Sequence, residues 1–377
     1  MAAVDEHNRI YLDYNASTPI DPEVLEEMMP YLTGYYGNPS SSHWASASIQ
    51  QAIQIARSRV ASLIGCNPNE IVFTSGGSES DNYAIKGTYF ANRHRGNHII
   101  TTRIEHPAVL NPCAYLESLG ATVTYLDVDA YGRVNPADVA AAITSDTILV
   151  SVMHANNETG TVQPIGEIGQ ITRERGVIFH TDAAQSVGKI NTLVDDLNVD
   201  LLTIAGHKLY APKGIGALYV RQGTPIDAFI QGAGHESGRR AGTENVPYMV
   251  ALGKACEIAS RKEDLQRIQS LADRFWTRLA DTFQDRIVRN GHPVEKLPNT
   301  LNVSFKGMIG QTILAQVPEI AATTGSACHT GSIQLSPVLK AMKVDAAIGA
   351  GTVRFSIGRY TTDAEIEKAC DLLRDRL

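Results

Sequence analysis

Two short polar segments contain residues that together could perform amine chemistry, and each follows a predicted strand. Lys208 comes shortly after the apolar run Leu201–Ile204, and Asp182 comes directly after the run Val177–Thr181. A lysine at the end of a buried strand is desolvated, which lowers the pKa of its amine and frees it to form a Schiff base. Asp182 could hold a cationic ring nitrogen, and Gln185 could donate a hydrogen bond to a neighbouring oxygen. The alternative for Asp182 is a cap on a following helix.

Two further segments supply groups that bind anions or polar ligands. Residues Thr74–Ser80, with the sequence TSGGSES, join the predicted strand Ile71–Thr74 to a helix. Their small side chains expose backbone N–H groups as in a phosphate site, although a simple tight turn explains the same residues. Asn157 follows the predicted strand Thr147–Met153. An anion cradle, a carboxylate for a ring nitrogen and a Schiff-base lysine together match the needs of pyridoxal 5'-phosphate (PLP).

The elements that must position these residues alternate along the first two thirds of the chain. Short apolar or β-branched runs predict strands at Ile71–Thr74, His98–Thr102, Val123–Val128, Thr147–Met153, Val177–Thr181 and Leu201–Ile204. Helical patterns lie between them, such as Ile49–Ile64 and Ser78–Phe90, and Asp21 is predicted to cap an earlier helix. This alternation predicts an α/β fold with a mostly parallel sheet covered by helices. Ligands bind at the carboxyl ends of the strands in such sheets.

The C-terminal third has a different pattern. A long helical region over Val246–Phe283 leads into Asn299–Phe305, which alternates apolar and polar residues as a strand does. The chain ends in a predicted helix over Thr362–Leu377. These features predict a smaller α+β domain after the α/β part.

The composition excludes several classes of protein. The chain has 377 residues, of which 43% are hydrophobic, so it can form a core and is not disordered throughout. Its net charge of −7 makes nucleic acid and anionic membranes poor candidates for partners. Because no apolar run approaches about 18 residues and no secretory signal pattern is present, we expect a soluble, cytoplasmic protein. The common metal-binding, P-loop and serine-hydrolase motifs are absent, so we expect no metal site.

Five cysteines are scattered along the chain: Cys66, Cys113, Cys256, Cys328 and Cys370. Their odd number and the absence of a C-x-x-C pair argue against a disulfide framework or a zinc knuckle. Cys328 lies in the small, polar stretch ATTGSACHTGS, where no apolar periodicity would bury it. We therefore expect Cys328 to be the candidate reactive thiol and the other four to be structural.

These motifs resemble those of the class V, fold-type I PLP enzymes, and within them the cysteine desulfurases of the NifS/IscS type and the closely similar selenocysteine lyases. The resemblance runs nearly end to end, from YLDYNASTP at residues 11–19 through GNPSS at 37–41 to VRFSIGR at 353–359. It implies a mostly parallel seven-stranded sheet with helices on both faces, plus a smaller α+β domain. It also implies a large PLP-binding domain over residues 15–260 and a small domain formed by residues 1–14 with 261–377.

The resemblance implies roles for the residues around the cofactor. Lys208 would bind PLP covalently, with Asp182 at the ring nitrogen and Gln185 at the ring hydroxyl. The phosphate would be held by Gly77, Ser78 and His207, together with Thr243 of a neighbouring subunit, so the resemblance implies a homodimer. One departure is Ala205, where IscS-like members have a serine, so one hydroxyl donor to the phosphate is missing.

The resemblance also implies how the substrate is bound and transformed. His106 would stack on the PLP ring and move protons, while Asn157 and Arg354 would bind the substrate carboxylate. Cys328 matches the family nucleophile: its thiolate would take sulfur from L-cysteine, leaving L-alanine and a persulfide. His329 would either lower the pKa of that thiol or point to solvent, and the sequence favours neither.

The spacing of Cys328 and Arg354 bears on where the sulfur goes. Arg354 lies 26 residues after Cys328, which resembles the long-loop branch of the family. In that branch the persulfide sulfur passes to an acceptor protein, such as an iron–sulfur scaffold.

Three other functions are considered. A selenocysteine lyase, which would release selenide and alanine from L-selenocysteine, shares the same motifs. A catalytically silent scaffold is disfavoured because every core motif is present. An ordinary aminotransferase is disfavoured by Cys328 in its small, polar stretch.

Overall fold

The computed structural model describes residues 9–329 and 332–377, and within these ranges the side chains of residues 326–329 and 332–334 are not described. The strands are β1 (Ile10–Tyr11), β2 (Ile71–Thr74), β3 (His98–Thr102), β4 (Thr122–Leu126), β5 (Thr147–Ser151), β6 (Ile178–Asp182), β7 (Leu201–Ala205), β8 (Gly216–Val220), β9 (Ile287–Asn290), β10 (Thr300–Phe305), β11 (Ile320–Ala321), β12 (Thr323–Thr324), β13 (Ser326–His329), β14 (Ser332–Leu335) and β15 (Thr352–Ser356).

The α-helices are α1 (Pro22–Thr33), α2 (Trp44–Ile64), α3 (Gly77–Asn82), α4 (Thr88–Asn92), α5 (Pro107–Glu117), α6 (Pro136–Ala142), α7 (Ile165–Arg175), α8 (Val194–Leu197), α9 (Val246–Ser260), α10 (Leu265–Phe283), α11 (Gly310–Gln316), α12 (Pro337–Ala341), α13 (Ala346–Gly349) and α14 (Asp363–Arg376). Asp21 caps α1 as predicted, since its side chain accepts a hydrogen bond from the N–H of Glu23 at 2.9 Å. None of the helices in the described ranges is long and apolar enough to cross a membrane.

The main sheet has the predicted α/β character. Within the described residues seven strands form it, in the order β2-β8-β7-β6-β5-β3-β4. Strands β3 to β7 run parallel, and β8 runs antiparallel to both β2 and β7. Of the six strands predicted above, β2 and β3 have the predicted bounds, and the other four agree within two residues at each end. The mostly parallel sheet is therefore confirmed.

Strand β8 is not among the predicted strands. Its first residue, Gly216, weakens the strand pattern in the sequence and lies where other backbones come very close. A Cβ atom at Gly216 would lie 2.6 Å from the carbonyl oxygen of Ile204 and 2.7 Å from the Cα of Gly76. Only glycine lets the three backbones approach this closely. The residue that weakens the strand pattern in the sequence is thus required by the packing around the β2–α3 turn.

Two helical predictions differ from the structure in detail. The region Val246–Phe283 is two helices, α9 and α10, because the chain breaks at residues 261–264, where Lys262 has φ +56°. The region Ser78–Phe90 extends over α3 and α4 and contains a turn of π-helix at Tyr83–Gly87. Both breaks are local, and the predicted helical regions are otherwise present.

A second sheet lies in the C-terminal part, with the strand order β12-β15-β10-β9. Its hydrophobic cluster includes residues of α10 and α14, together with Ile10 and Leu12 from the start of the described chain. Strand β10, whose sequence alternates apolar and polar residues, is buried along its whole length. Helix α9, in contrast, packs against α1 and α2 of the first part.

Candidate active site

Lys208 lies just beyond the carboxyl end of β7, in a short turn of 3-10 helix over Gly206–Lys208. Its Nζ donates hydrogen bonds to the backbone oxygens of Asn15 and Ala16, the latter at 2.7 Å. Burial and then the nearby positive charge of Arg354 lower the pKa of the Lys208 amine to about 8. The predicted desolvated lysine is therefore present, with an appreciable neutral fraction near physiological pH.

Asp182 is the last residue of β6 and is buried. No helix follows it: its Oδ1 accepts a hydrogen bond from the N–H of Ala184 at 2.9 Å within a turn, so the helix-cap alternative is wrong. Burial raises the pKa of Asp182, and the neighbouring His106 and Lys208 partly offset this. Burial raises the pKa of Asp81 well above its ordinary value, and the Asp182 charge adds to that effect. Of the two carboxyl groups, Asp81 has the pKa that is raised further.

His106 caps α5, and its Nδ1 accepts a hydrogen bond from the N–H of Ala108 at 3.1 Å. In the neutral ring the proton is therefore on Nε2. His207 is adjacent to Lys208, and burial followed by the charges of Lys208 and Lys213 lowers its pKa to about 4. His207 is thus a neutral hydrogen-bonding group at ordinary pH.

Gln185 has its amide orientation fixed by two partners. Its Oε1 accepts from Nζ of Lys189 at 3.3 Å, and its Nε2 donates to the backbone oxygen of Asn15 at 2.9 Å. Because a backbone carbonyl oxygen only accepts, the NH₂ group must face the cavity-lining residue Asn15, and Oε1 then faces Lys189.

Arg354 lies on β15 and is buried. Its Nη1 donates to the backbone oxygen of Asn157 at 2.9 Å, and its Nη2 forms an ion pair with Asp13 at 2.7 Å. The Nε atom of Arg354 is buried and has no hydrogen-bond partner among the described residues. The two bonds use two of the five guanidinium N–H donors, so donors remain for an anionic ligand.

The turn between β2 and α3 has the open backbone of an anion site. Gly76 has φ +147°, and a Cβ atom there would meet no other atom within 4 Å. A Cβ at Gly77 would lie 3.3 Å from the Cβ of Ala205, so these two residues face each other closely. The Ala205 departure therefore occurs beside the turn that carries Gly77 and Ser78.

One cavity of about 640 Å³ brings most of the predicted residues together. Its lining includes Gly77, Ser78, His106, Asn157, Asp182, Gln185, His207, Lys208 and Arg354. An amine that is partly neutral, a buried carboxylate and an open backbone turn suit a ligand with a carbonyl carbon, a basic ring nitrogen and an anionic group. The individual role of each residue stays a prediction.

One predicted site residue whose side chain is described, Thr243, is not part of this cavity lining. Thr243 is exposed and lines a neighbouring cavity of about 250 Å³ with Thr74 and Ser75. The side chains of Cys328 and His329 lie outside the described part, so the predictions for them are untested. Only the backbone of β13, which carries both residues, is described, and it pairs with β14.

The remaining cysteines have the features of structural thiols. Cys113, Cys256 and Cys370 are buried and Cys66 is half-buried, and each of the four is unpaired. Burial raises the pKa of Cys66, Cys113 and Cys256 to about 12 and that of Cys370 to about 11. At neutral pH these thiols stay protonated and are poor nucleophiles.

The structure adds three residues that have no role in the sequence-based prediction. Asp13 holds Arg354, and the backbone oxygen of Asn15 accepts from both Lys208 and Gln185. Glu105 is buried, accepts from the Thr102 hydroxyl and the N–H of Met153, and has its pKa raised by burial to about 8. The only sequence signal was the polar character of the YLDYNASTP and EH segments.

This fold and site define a class of protein. Residues 10–369 match the family model of the class-V aminotransferases, so the chain belongs to the class-V aminotransferase family. Within that family, the relatives to which it is similar include cysteine desulfurases.

Three similar proteins illustrate this. Cysteine desulfurase 2 of Trichormus variabilis (strain ATCC 29413 / PCC 7937) is 48% identical over 367 residues, which cover 97% of this chain and 92% of the relative. A solved NifS-like protein has a TM-score of 0.90 at 36% identity and covers 97% of this chain and 98% of its own. The solved structure of SspA in complex with cysteine has a TM-score of 0.82 at 39% identity, with 94% and 100% coverage. These matches favour the desulfurase over the selenocysteine lyase.

Proposed function

We propose that this chain is a PLP-dependent cysteine desulfurase that converts L-cysteine to L-alanine and takes up the sulfur as a persulfide on Cys328. The observation that carries the proposal is the meeting of three groups in one cavity: the Lys208 amine with its lowered pKa, the buried Asp182 carboxylate and the Arg354 guanidinium. Similarity to cysteine desulfurases over nearly the whole chain supports the same reaction.

The donor set of the cavity fits PLP. A sufficient fraction of the Lys208 amine is neutral for it to bond to an aldehyde carbon. A protonated ring nitrogen would place a positive counter-charge next to the buried Asp182 carboxyl group. The open turn at Gly76 offers backbone N–H groups to a phosphate. When bound, PLP supplies an electron sink for negative charge at the substrate Cα.

The residues of this chain would divide the remaining work. Lys208, with a pKa near the operating pH, would remove and return the proton at the substrate Cα. His106 is oriented by its bond to the N–H of Ala108 and would move protons at its Nε2. Arg354 and Asn157 would hold the substrate carboxylate.

The sulfur transfer itself would be carried out by Cys328. Its thiolate would attack the substrate sulfur, so that an S–S bond forms while the C–S bond breaks. The electron pair of the broken bond goes to the substrate carbon, which takes up a proton and leaves as part of alanine. Cysteine and the enzyme thiol are thereby converted to alanine and the enzyme persulfide, with no other reactant.

A homodimer is part of this proposal. Thr243 is exposed and lies outside the cavity lining of its own subunit, which supports a role toward the phosphate of a neighbouring subunit. Tyr36 and Trp44 are 87% and 88% exposed, and aromatic residues are enriched at protein interfaces. Sedimentation velocity should give the mass of two chains.

The proposal extends to the domains and the fate of the sulfur. We infer a large domain of residues 15–260 and a small domain of residues 1–14 with 261–377, supported by the separate packing of α9 and α10. The persulfide sulfur would pass to an iron–sulfur scaffold or another acceptor protein, and the enzyme would work in the cytoplasm.

Absorption and product release test the proposal together. The purified protein should show the visible band of lysine-bound PLP and release alanine from cysteine, and Lys208→Ala should lose both. Lys296→Ala is the control, because this lysine is paired with Asp273 at 3.3 Å and is not among the cavity-lining residues. A Lys208→Ala protein that keeps the band would refute the proposal.

A further inference from the structure

Asp13 has a carboxylate that bridges two residues of the cavity wall. Its Oδ1 accepts from Nη2 of Arg354 at 2.7 Å, and its Oδ2 accepts from the Thr323 hydroxyl at 2.9 Å. Arg354 and Thr323 both line the cavity, whereas Asp13 is not among the lining residues. Asp13 therefore acts on the site through its neighbours rather than by contact with a ligand.

The backbone holds these three residues in fixed register. Thr323 of β12 lies directly opposite Arg354 of β15 in an antiparallel ladder. Asp13 forms a parallel bridge with Ser356, two residues beyond Arg354. The sheet thus holds the backbone of Asp13 as well as the backbones of Arg354 and Thr323, so the positions of these contacts do not depend on a long, exposed side chain.

The contacts of Arg354 use only part of the donor capacity of its guanidinium, which has five N–H donors. Asp13 occupies Nη2 and the backbone oxygen of Asn157 occupies Nη1, while the buried Nε has no partner among the described residues. With the two terminal nitrogens anchored to different parts of the chain, the guanidinium plane cannot rotate freely. Its remaining N–H donors keep a constant orientation relative to the cavity wall.

Charge balance is the second consequence of the pair. The Arg354 and Asp13 side chains are only 8% and 18% exposed. A guanidinium at this depth without a counter-charge would be costly and would attract any small anion. Asp13 supplies that counter-charge when no substrate is bound, so the site has less net attraction for inorganic anions.

We propose that Asp13 is a positioning residue for substrate recognition, which orients Arg354 so that its remaining N–H donors meet the carboxylate of an α-amino acid and which neutralises Arg354 against inorganic anions. This inference rests on the proposed function, because the α-amino acid is the proposed substrate. It predicts that the affinity for the substrate carboxylate depends more on the orientation of the Arg354 guanidinium than on its positive charge.

The test uses the PLP-loaded full chain and the variant Asp13→Asn, which keeps the shape but removes the charge. We expect KM for L-cysteine to rise about tenfold while kcat stays within about threefold, since ground-state binding is what is lost. The inhibition constant of inorganic sulfate, competitive with cysteine, should fall severalfold because Arg354 has lost its counter-charge. Thr323→Val removes only the hydroxyl on Oδ2 and should raise KM by a smaller factor.

The matched control is Asp127→Asn, which breaks the exposed ion pair of Asp127 with Arg103 at 2.8 Å and should change none of these constants. Unchanged KM and sulfate inhibition in the Asp13→Asn protein would overturn the inference. So would a lower KM, which would mean that Asp13 competes with substrate for Arg354. If Asp13→Asn does not fold, Thr323→Val decides: an unchanged KM there overturns the inference. Absence of alanine release by the unmodified enzyme would instead refute the proposed function.

Discussion

The amine of Lys208 offers a quantitative prediction about the site before any ligand binds. With a pKa of about 8 in place of the ordinary 10.5, about 24% of the amine is neutral at pH 7.5, compared with about 0.1% for an ordinary lysine. The neutral amine is the nucleophile, so labelling of Lys208 in the apoprotein should have its midpoint near pH 8, compared with about 10.5 for an ordinary lysine.

The perturbation is Arg354→Met, because the Arg354 charge is the largest cause of the lowered Lys208 pKa after burial. Loss of that charge should move the Lys208 midpoint upward, and Arg103→Met, which alters an exposed ion pair, should leave it in place. The assay is labelling of the apoprotein with acetic anhydride from pH 6.5 to 10.5, with the Lys208 peptide quantified by mass spectrometry.

The sign of the pH dependence of stability follows from the same shift. Between about pH 8 and 10.5 the unfolded chain binds the Lys208 proton and the folded chain does not, so this group makes the free energy of unfolding rise with pH in that window. A Lys208 labelling midpoint near 10.5 in the folded apoprotein would refute the reasoning. A downward shift in Arg354→Met would contradict the assigned cause.

Three further variants test separate parts of the site. Ala205→Ser should place a hydroxyl beside the Gly77 turn and tighten PLP binding about tenfold, which is the effect of one hydrogen bond to a charged group. Equilibrium dialysis against PLP measures the affinity, and an unchanged affinity would contradict the prediction. Glu236→Gln should lower the free energy of unfolding by about 3 kcal/mol, because it leaves Arg57 buried without the counter-charge that now lies 2.6 Å away. Urea denaturation measures this loss, and a loss under about 1 kcal/mol would contradict the prediction. His106→Gln should lower kcat for alanine release by about 100-fold or more with a smaller change in KM, and an unchanged kcat would exclude a proton-transfer role.

Much of the site could be predicted from local sequence. Lys208 and Asp182 each lie at the carboxyl end of an apolar run, and strands of a parallel sheet bring such ends to the same edge. The strand pattern and the chemistry of the two side chains were therefore enough to predict that Lys208 and Asp182 lie at the same edge of the sheet. The β2–α3 turn could be predicted for the same reason, since its glycines follow β2 directly.

The remaining features depend on contacts between distant parts of the chain. Asp13 and Arg354 are 341 residues apart, and their ion pair exists only because β1, β12 and β15 come together. Strand β8 begins with a glycine that is needed where three backbones meet, and this weakens its own sequence pattern. The roles of Asp13 and Asn15 could not be derived from spacing, because neither follows a strand of the main sheet.

The central claim is that sulfur from cysteine passes to Cys328. The most direct measurement is single-turnover reaction of the PLP-loaded enzyme with L-cysteine, followed by intact-mass and peptide analysis, in the unmodified chain, in Cys328→Ser and in the control Cys66→Ala. We predict one added sulfur atom on Cys328 for each alanine released, the same result in Cys66→Ala, and neither product in Cys328→Ser. Alanine release from cysteine by Cys328→Ser at the unmodified rate would contradict the claim.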